Sequence, residues 1–375
     1  MEKKETISST FGRNIKVTIF GGSHEEKIGC IIEGLPEGAK DFDGERLQQF
    51  LDLRAPGNSP FATKRKEPDK FEIESENPLT IIIRNTNQRS GDYKKLTDVP
   101  RPGHADYTAR IRYGEDINMA GGGPFSGRMT APLCIAGGIA LQALEKEGIK
   151  IGAHLLQVGQ VQDKAFDTIE PEIESVEKLY KAIYSEQNDQ VKSVDKPLAV
   201  IDADCEEAMA SAILAARDEG DSLGGIVEVA ATGLPPGIGG AMYDGLESIL
   251  SPIYFGIPAV KGIEFGLGFE ASKIKGSKNN DSFDIMHGDI ITKTNHAGGI
   301  LGGITIGMPL IARVAFKPTP SIAKEQQSVN LRTMEGETLA ITGRHDPCVA
   351  VRAVPVVVAA TAIGLLDAWQ ERIQK

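Results

Sequence analysis

Residues 28–38 read IGCIIEGLPEG, a short apolar run that leads into a G-L-P-x-G turn. A similar pattern occurs near the middle of the chain, with LGGIVE at residues 223–228 and GLPPG at residues 233–237. Apolar runs of this length, closed by glycine and proline, are typical of buried β-strands. A duplicated half with pseudo-twofold symmetry would produce this pair, and so would two similar strand–turn units that arose by chance.

The elements around these two stretches follow one another in a mixed order. β-type runs occur at Lys16–Phe20, Gly29–Glu33, Leu79–Arg84, Ile226–Ala231 and Leu310–Phe316, and helical patterns at Gly44–Leu53, Met129–Glu147, Val176–Glu186, Cys205–Glu219 and Pro355–Arg372. Strands and helices do not alternate regularly, as they would in a doubly wound sheet. The order therefore predicts an α+β fold with antiparallel sheets.

The bulk composition excludes some classes of partner. The chain has 375 residues, enough for one large domain or two ordinary ones, and its formal net charge is -11. Such an acidic protein is a poor partner for nucleic acid or an anionic membrane. An anionic small substrate would need a locally basic pocket.

Cysteines and apolar segments indicate a cytosolic protein. Cys30, Cys134, Cys205 and Cys348 are far apart, so we predict neither a metal site nor a disulfide framework. Residues 1–10 lack the apolar core of a signal peptide. The apolar stretches Thr130–Leu144 and Val349–Leu366 are rich in Gly, Ala and Pro and are shorter than a typical membrane span of ~20 residues. We expect both to be buried core helices.

Three histidines lie in glycine-rich, loop-like sequence. His24 follows a predicted strand, His104 lies in a Pro-Gly-His turn, and His345 precedes the last predicted helix. Histidine is the side chain best suited to proton transfer near neutral pH. Each of the three could equally be a hydrogen-bonded turn histidine.

The same loops carry arginine and other anion-binding signals. Arg54, Arg101, Arg128 and Arg344 are embedded in them, and arginine pairs bidentately with phosphate and carboxylate. The glycine triplet Gly121–Gly123 precedes a predicted helix, whose N-terminus offers free N–H groups. Residues 317–321, KPTPS, add a cation and two hydroxyls in a stiff turn.

These loops, in this order, resemble chorismate synthase. The similarity runs through Gly21–His24, Ile28–Gly38, Arg54–Ser59, Arg65–Asp69, Asn85–Tyr93, Arg101–Thr108, Gly121–Ala131, Glu219–Gly224, Ala259–Glu264, Asn295–Gly303, Lys317–Ser321 and Gly343–Pro355. The strings RPGHADYT (101–108), NHAGGILGGI (295–304) and GRHDPC (343–348) are together highly specific.

The resemblance implies a lyase reaction, the anti-1,4 elimination of phosphate and a proton from 5-enolpyruvylshikimate 3-phosphate. In the family this reaction requires reduced FMN (FMNH2), although the reaction causes no net redox change. The resemblance makes His104 a proton donor beside the flavin and His24 the acid that protonates the departing phosphate. Asp346, with Ser126 or Ser23, would relay a proton.

The resemblance also implies binding roles and an assembly. Arg54, Arg101, Arg128 and Arg344 would hold the substrate, and the flavin would contact Ser126, Ala259, Gly302, Lys317, Pro318, Thr319, Pro320, Ser321 and Arg344. The implied fold is a β-α-β sandwich, two antiparallel sheets around core helices, forming a single domain over residues 1–375 and a homotetramer. No reductase segment is evident, so we expect an external source of reduced flavin.

The sequence departs from the family pattern at several positions. Gly22 replaces a usual Glu and Glu25 a usual Gly; Ala55, Pro124, Phe125, Met129 and Val358 replace Arg, Arg, Ser, Glu and Glu. Two alternatives are therefore a catalytically impaired paralogue that binds flavin or a shikimate ester, and a flavoprotein oxidoreductase. Against the oxidoreductase, no dinucleotide-binding fingerprint is present in the sequence.

His154 and His287 lie outside the motifs, and we expect alanine to be tolerated at both.

Overall fold

The structure, a computed structural model, describes residues 7–56, 61–63, 69–86, 98–175, 198–341 and 345–373. The predicted helix Val176–Glu186 lies outside the described residues, as does Arg344.

Two five-stranded antiparallel sheets form the outer layers of the molecule. The first contains β1 (Ser8–Phe11), β2 (Lys16–Gly21), β3 (Lys27–Glu33), β4 (Phe71–Glu76) and β5 (Leu79–Arg84), in the order β1-β2-β3-β5-β4. The second contains β6 (Lys150–Val158), β7 (Val161–Gln162), β8 (Gly225–Thr232), β9 (Val260–Phe265) and β14 (Leu310–Phe316), in the order β7-β6-β8-β14-β9. The predicted antiparallel α+β class is confirmed.

Short hairpins and helices complete the described architecture. The hairpins are β10 (Phe283–Met286) with β11 (Asp289–Thr292), β12 (Ile300–Leu301) with β13 (Ile304–Thr305), and β15 (Gln326–Asn330) with β16 (Glu335–Leu339). The helices are α1 (Glu37–Lys40), α2 (Gly44–Arg54), α3 (Asp106–Tyr113), α4 (Thr130–Lys146), α5 (Ala203–Asp218), α6 (Leu246–Gly256), α7 (Gly276–Asn279) and α8 (Ala350–Ile373).

Helices α4 and α8 cross in the layer between the sheets. Helix α4 packs against β2, β3 and β5, and α8 packs against β6 and β8, so one hydrophobic core takes side chains from both sheets. At the crossing, a Cβ added to Gly137 would lie 2.2 Å from the Cβ of Ala359, so glycine is needed for this approach. Helix α8 is long and apolar enough to cross a membrane, yet 89% of its most apolar window is buried. Both apolar stretches are thus buried core helices, as expected.

The two G-L-P-x-G turns occupy equivalent places in the sheets. Gly34 follows β3 and Gly233 follows β8, and each has φ +77°. A Cβ there would lie 2.0 Å from the carbonyl oxygen of Asn14 or 2.2 Å from that of Gly148, two residues before β2 or β6. The turns therefore align Ile28–Glu33 with Val227–Thr232, four residues beyond the alignment that the sequence pattern suggested.

The equivalence extends from the turns to the order of elements. Apart from β1, α1 and α3 in the first half, and β7, α5, α7 and the three hairpins in the second, each half runs strand, strand, helix, strand, strand, helix: β2, β3, α2, β4, β5, α4 in the first, and β6, β8, α6, β9, β14, α8 in the second. Within the sheets the strands follow the same spatial order, β2-β3-β5-β4 and β6-β8-β14-β9. This arrangement favours duplication over chance as the origin of the repeated turn.

A buried charged network spans the second sheet. His154 on β6 contacts Asp163 through Nδ1 (3.1 Å) and Glu228 on β8 through Nε2 (3.0 Å), and all three side chains are fully buried. Glu228 also accepts a hydrogen bond from Nε of Arg313 on β14 (2.8 Å). Removal of His154 would deprive both buried carboxylates of their shared imidazole partner, which argues against the expectation that alanine is tolerated there. His287 lies in the exposed β10–β11 turn, and the same expectation stays a prediction there.

Candidate active site

One cavity of about 600 Å³ gathers most of the side chains that the sequence singled out. It lies where the loops after β2, α2, α6 and β14 meet the segments that precede α3, α4 and α8. Its walls include His24, Arg54, Arg101, His104, Ser126, Arg128, Ala259, Lys317, Thr319, Pro320, Ser321 and Asp346. Residues scattered over most of the chain are thus brought to one place.

Four predicted residues stand apart from this list. Ser23 is fully buried beside the cavity wall, where its N–H donates to the carbonyl oxygen of Gly123 (3.1 Å). Pro318 is not among the lining residues, although its neighbours on both sides are. Gly302 lies in the exposed β12–β13 turn, and the structure of this chain does not bring it to the cavity. Arg344 lies outside the described residues.

The glycine triplet separates the two predicted proton donors. Gly121, Gly122 and Gly123 have φ values of 61°, 91° and 52°, a conformation that favours glycine. A Cβ on Gly121 would lie 2.3 Å from the His24 ring, and one on Gly122 would lie 3.2 Å from Nε2 of His104. Only a segment without side chains can pass between the two imidazoles here. The sequence therefore needs glycine at Gly121 for steric room as well as for φ.

A carboxylate holds His104 and Arg101 together. Asp106, at the start of α3, accepts from Nε of Arg101 (2.7 Å), from Nη2 of Arg101 (2.6 Å) and from Nδ1 of His104 (2.8 Å). Burial alone would raise the pKa of Asp106, but Arg101 and His104 outweigh it and hold this pKa well below its usual range. The ionised carboxylate favours the tautomer with hydrogen on Nδ1, which leaves Nε2 of His104 towards the glycine triplet.

A second carboxylate bridges two of the predicted substrate arginines. Asp69 is completely buried and accepts from Nε of Arg54 (3.0 Å) and from Nη1 of Arg128. Arg54 ends α2 and also donates to the Thr130 hydroxyl (3.2 Å), while Nε of Arg128 donates to Asn85 (3.1 Å). Both guanidinium groups are at most 5% exposed. They are rigid, paired cations, in contrast to ordinary surface arginines.

A third carboxylate, Asp346, is held from two sides. Arg352 in α8 donates through Nε (3.0 Å) and Nη2 (2.8 Å) to Oδ2, and the backbone N–H of Thr63 donates to Oδ1 (2.9 Å). The neighbouring His345 also lines the cavity. Burial, with Arg101 nearby, lowers the pKa of His345 to about 4, so its ring is neutral near pH 7. Asp346 is therefore a fixed carboxylate beside a neutral imidazole.

The wall formed by Ala259 and Lys317 has a different character. Phe255 and Ile257 supply apolar surface there, and Ala259 has a φ of 76°, which is rare for a residue with a Cβ. Burial and the nearby Lys261 lower the pKa of Lys317. The hydroxyl of Thr319 is buried without a hydrogen-bond partner in the described part of the chain. An ammonium group and an unsatisfied hydroxyl beside apolar surface suit a ligand that carries both a ring and an anionic group.

Sequence reasoning missed four residues of this site. Asp69, Asp106 and Arg352 stand within or beside the motifs quoted above, but nothing in the motifs shows which arginine each contacts. Phe255 belongs to α6, which the sequence pattern did not predict. Charge balance could have predicted these acidic residues, because a cluster of buried arginines requires buried carboxylates as partners.

Two of the positions at which the sequence departs from the family pattern lie at this cavity. Pro124 and Phe125 line it, whereas Met129 and Val358 are buried in the hydrophobic core. At the first motif, a Cβ on Gly22 would lie 3.2 Å from the Glu25 carboxylate, so the Glu25 side chain covers the surface that Gly22 leaves open. The two exchanges at Gly22 and Glu25 are thus spatially coupled.

Comparisons with known proteins agree over nearly the whole chain. A family model described as chorismate synthase matches residues 15–370. A chorismate synthase of Lancefieldella parvula is 45% identical over 370 residues and covers 96% of both chains. Those of Korarchaeum cryptofilum and Pyrococcus abyssi are each 42% identical, with 95% of this chain and 96% of theirs covered. A crystal structure of a chorismate synthase has a TM-score of 0.72 at 25% identity and covers 96% of this chain and 93% of that one.

Proposed function

The chain belongs to the chorismate synthase family and is therefore a lyase, and from this premise we propose that it converts 5-enolpyruvylshikimate 3-phosphate into chorismate and inorganic phosphate. One phosphate and one ring proton leave in an anti-1,4 elimination, so no net oxidation occurs. The observation that supports this reaction most directly is the meeting of His24 and His104 on the two sides of the glycine triplet, in a cavity lined with paired arginines.

The substrate is anionic, and the cavity is built to receive anions inside an acidic protein. Arg54, Arg101 and Arg128 each retain a position on the cavity wall while paired with a buried carboxylate. We assign the phosphate and carboxylate groups of the substrate to this set, with Arg344 as a further predicted contact. Bidentate guanidinium contacts then fix the ring orientation that an elimination requires.

The residues present also fit a flavin. Lys317 and the buried Thr319 hydroxyl suit its phosphate, and Phe255, Ile257 and Phe125 offer apolar surface for its rings. Ser126, Ala259, Pro318, Pro320, Ser321, Gly302 and Arg344 complete the predicted set. When bound in reduced form, FMN supplies a transient electron and takes up the departing hydrogen, which allows the stereoelectronically difficult elimination.

The remaining roles belong to side chains of this protein. Because Asp106 holds Nδ1 of His104, Nε2 is the ring atom through which His104 donates a proton when the ring is in its imidazolium form. His24 lies across the triplet, and we assign to it the protonation of the departing phosphate. Asp346, fixed by Arg352, accepts a proton through the hydroxyl of Ser126 or Ser23. We further propose a cytoplasmic homotetramer with a single domain per chain that depends on an external flavin reductant.

Anaerobic turnover with chemically reduced FMN tests this proposal. We expect chorismate and phosphate in equal amounts with reduced FMN, and no product with oxidised FMN in air, because the reaction requires the reduced cofactor but does not consume it. Stoichiometric consumption of reductant would indicate an oxidoreductase. Flavin binding without product would identify the impaired paralogue.

A further inference from the structure

Asp69 lies at the centre of the cationic wall but does not itself line the cavity. Its carboxylate has no exposed surface, and it contacts Arg54 and Arg128, both of which do line it. Burial acts to raise the pKa of Asp69, but the two guanidinium groups outweigh it and lower this pKa below its usual value. Asp69 is therefore an ionised group inside the protein.

The network continues from Asp69 to the loop of His24. Arg128 donates through Nε to Asn85, whose side-chain amide donates to the carbonyl oxygens of Gly22 (3.2 Å) and Glu25 (2.8 Å). In the other direction, Arg54 donates to Thr130, whose hydroxyl donates to the carbonyl oxygen of Gly127 (2.7 Å). The position of one carboxylate is thus tied to the loop before β3 and to the first turn of α4.

We propose that Asp69, with Thr130 behind Arg54, is a positioning residue that fixes the guanidinium groups of Arg54 and Arg128 in the orientation that receives the substrate's anionic groups. This inference rests on the proposed function and assigns a role to a residue that touches no substrate. A guanidinium group whose plane is already held loses less freedom when it forms a bidentate contact, and a buried carboxylate holds that plane without competing for the atoms that line the cavity.

The alternative role for Asp69 is simple charge neutralisation, and the two roles predict opposite signs. Asp69→Asn removes one negative charge, so the cavity becomes more positive. If Asp69 only neutralises, an anion should bind more tightly to this variant. If Asp69 positions the arginines, an anion should bind more weakly in spite of the added positive charge, because the guanidinium planes are no longer held.

The experiment compares steady-state turnover and inorganic phosphate affinity in Asp69→Asn and wild type. We expect KM for the substrate to rise by about tenfold or more and phosphate affinity to fall, since small displacements of binding groups have effects of this size. Asp367→Asn is the matched control: this buried carboxylate in α8 accepts from the N–H groups of Arg13, Asn14 and Ile15, away from the cavity. It should lower the unfolding temperature and leave KM unchanged.

Thr130→Val provides the second variant, since it leaves the net charge unchanged. It removes the hydroxyl that holds Arg54, and we expect KM to rise by about threefold to tenfold, the effect of losing one ordinary hydrogen bond. Thr361→Val, which removes a buried hydroxyl bonded to Tyr254 (2.8 Å), is its control.

An unchanged or lower KM in Asp69→Asn would overturn the proposal. If that variant does not fold, an unchanged KM in Thr130→Val would overturn it, and a raised KM would support it. Absence of chorismate from the wild type would instead refute the proposed function, while the phosphate affinities would still test the positioning role.

Discussion

At the scale of single residues, two imidazoles lie against neighbouring glycines of one backbone segment, His24 at Gly121 and His104 at Gly122. Neither His24 nor His104 is part of the hydrophobic core, so each can be replaced without a large cavity. The environments of the two rings differ, because a buried carboxylate holds His104 at Nδ1. Their substitutions should therefore differ in kind as well as in size.

We expect His24→Ala and His104→Ala to keep the fold and to lower turnover by about 10²–10⁴-fold, the usual contribution of general acid–base catalysis. His104→Ala should also change the absorption spectrum of bound reduced FMN, whereas His24→Ala should leave that spectrum unchanged and slow phosphate release. Circular dichroism, anaerobic flavin spectra and stopped-flow phosphate detection would measure these effects. His287→Ala, in an exposed turn, is the control; a comparable loss of turnover in it would contradict the assignment.

The sequence located the loops of the site better than the contacts between them. His24, His104 and Asp346 could be selected because their loops combine glycine, arginine and histidine, a combination that is not typical of a hydrophobic core. Asp69 could not, because its importance lies in its distance to Arg54 and Arg128, and that distance depends on packing. The roles of all these residues remain predictions.

At the scale of elements, the second sheet contains a charged network where an apolar core would be expected. Burial opposes the charge on His154, but hydrogen bonds to Asp163 and Glu228 outweigh it and raise the pKa of His154 above its usual value. A group whose pKa is raised on folding stabilises the folded state below its unfolded pKa, about 6.5, and loses that contribution as pH rises through the folded pKa.

We therefore expect the stability difference between wild type and His154→Gln to be largest near pH 6 and to shrink as the pH rises above the raised pKa. Breaking a buried pair of this kind costs about 3–5 kcal/mol. Thermal unfolding of both proteins from about pH 6 to about pH 9 would measure the difference, and titrating groups remote from His154 cancel in the comparison. Parallel curves for the two proteins would show that His154 does not titrate over this range.

The helices and strands that could be predicted are those whose sequence pattern fits only one type of secondary structure. Leu79–Arg84 and Leu310–Phe316 are short, mainly apolar runs that each follow a proline, and their observed bounds match the predicted ones. Strand β6 and helix α6 were not predicted. The first contains a histidine and a glycine in its buried run, and the second contains Pro252; their packing overrides these local signals.

At the scale of the whole molecule, the two halves share one layer of helices. Helix α4 belongs to the first half and α8 to the second, and each buries its apolar surface largely on the other. Neither half can bury its own helix without its counterpart. This exchange is the reason why we expect the chain to fold as a single domain.

We expect fragments 1–147 and 148–375, produced separately, to lack cooperative thermal unfolding, since each exposes a helix that is apolar over most of its surface. Mixing the fragments should restore a cooperative transition. Calorimetry of each fragment and of the mixture would measure this. Two independent transitions in the separate fragments would mean that the chain contains two domains.

The cavity receives the same two loops from each half. The segment after α2 and the segment after α6 both line it, as do the residues before α4 and before α8. In a symmetric dimer of two identical chains, a substitution in one of these loops appears twice, once on each side of a shared pocket. Two halves in one chain are free of that constraint. The end of α2 presents Arg54 to the cavity, whereas its counterpart at the end of α6 presents Phe255 and Ile257, so the two halves offer a ligand unlike surfaces.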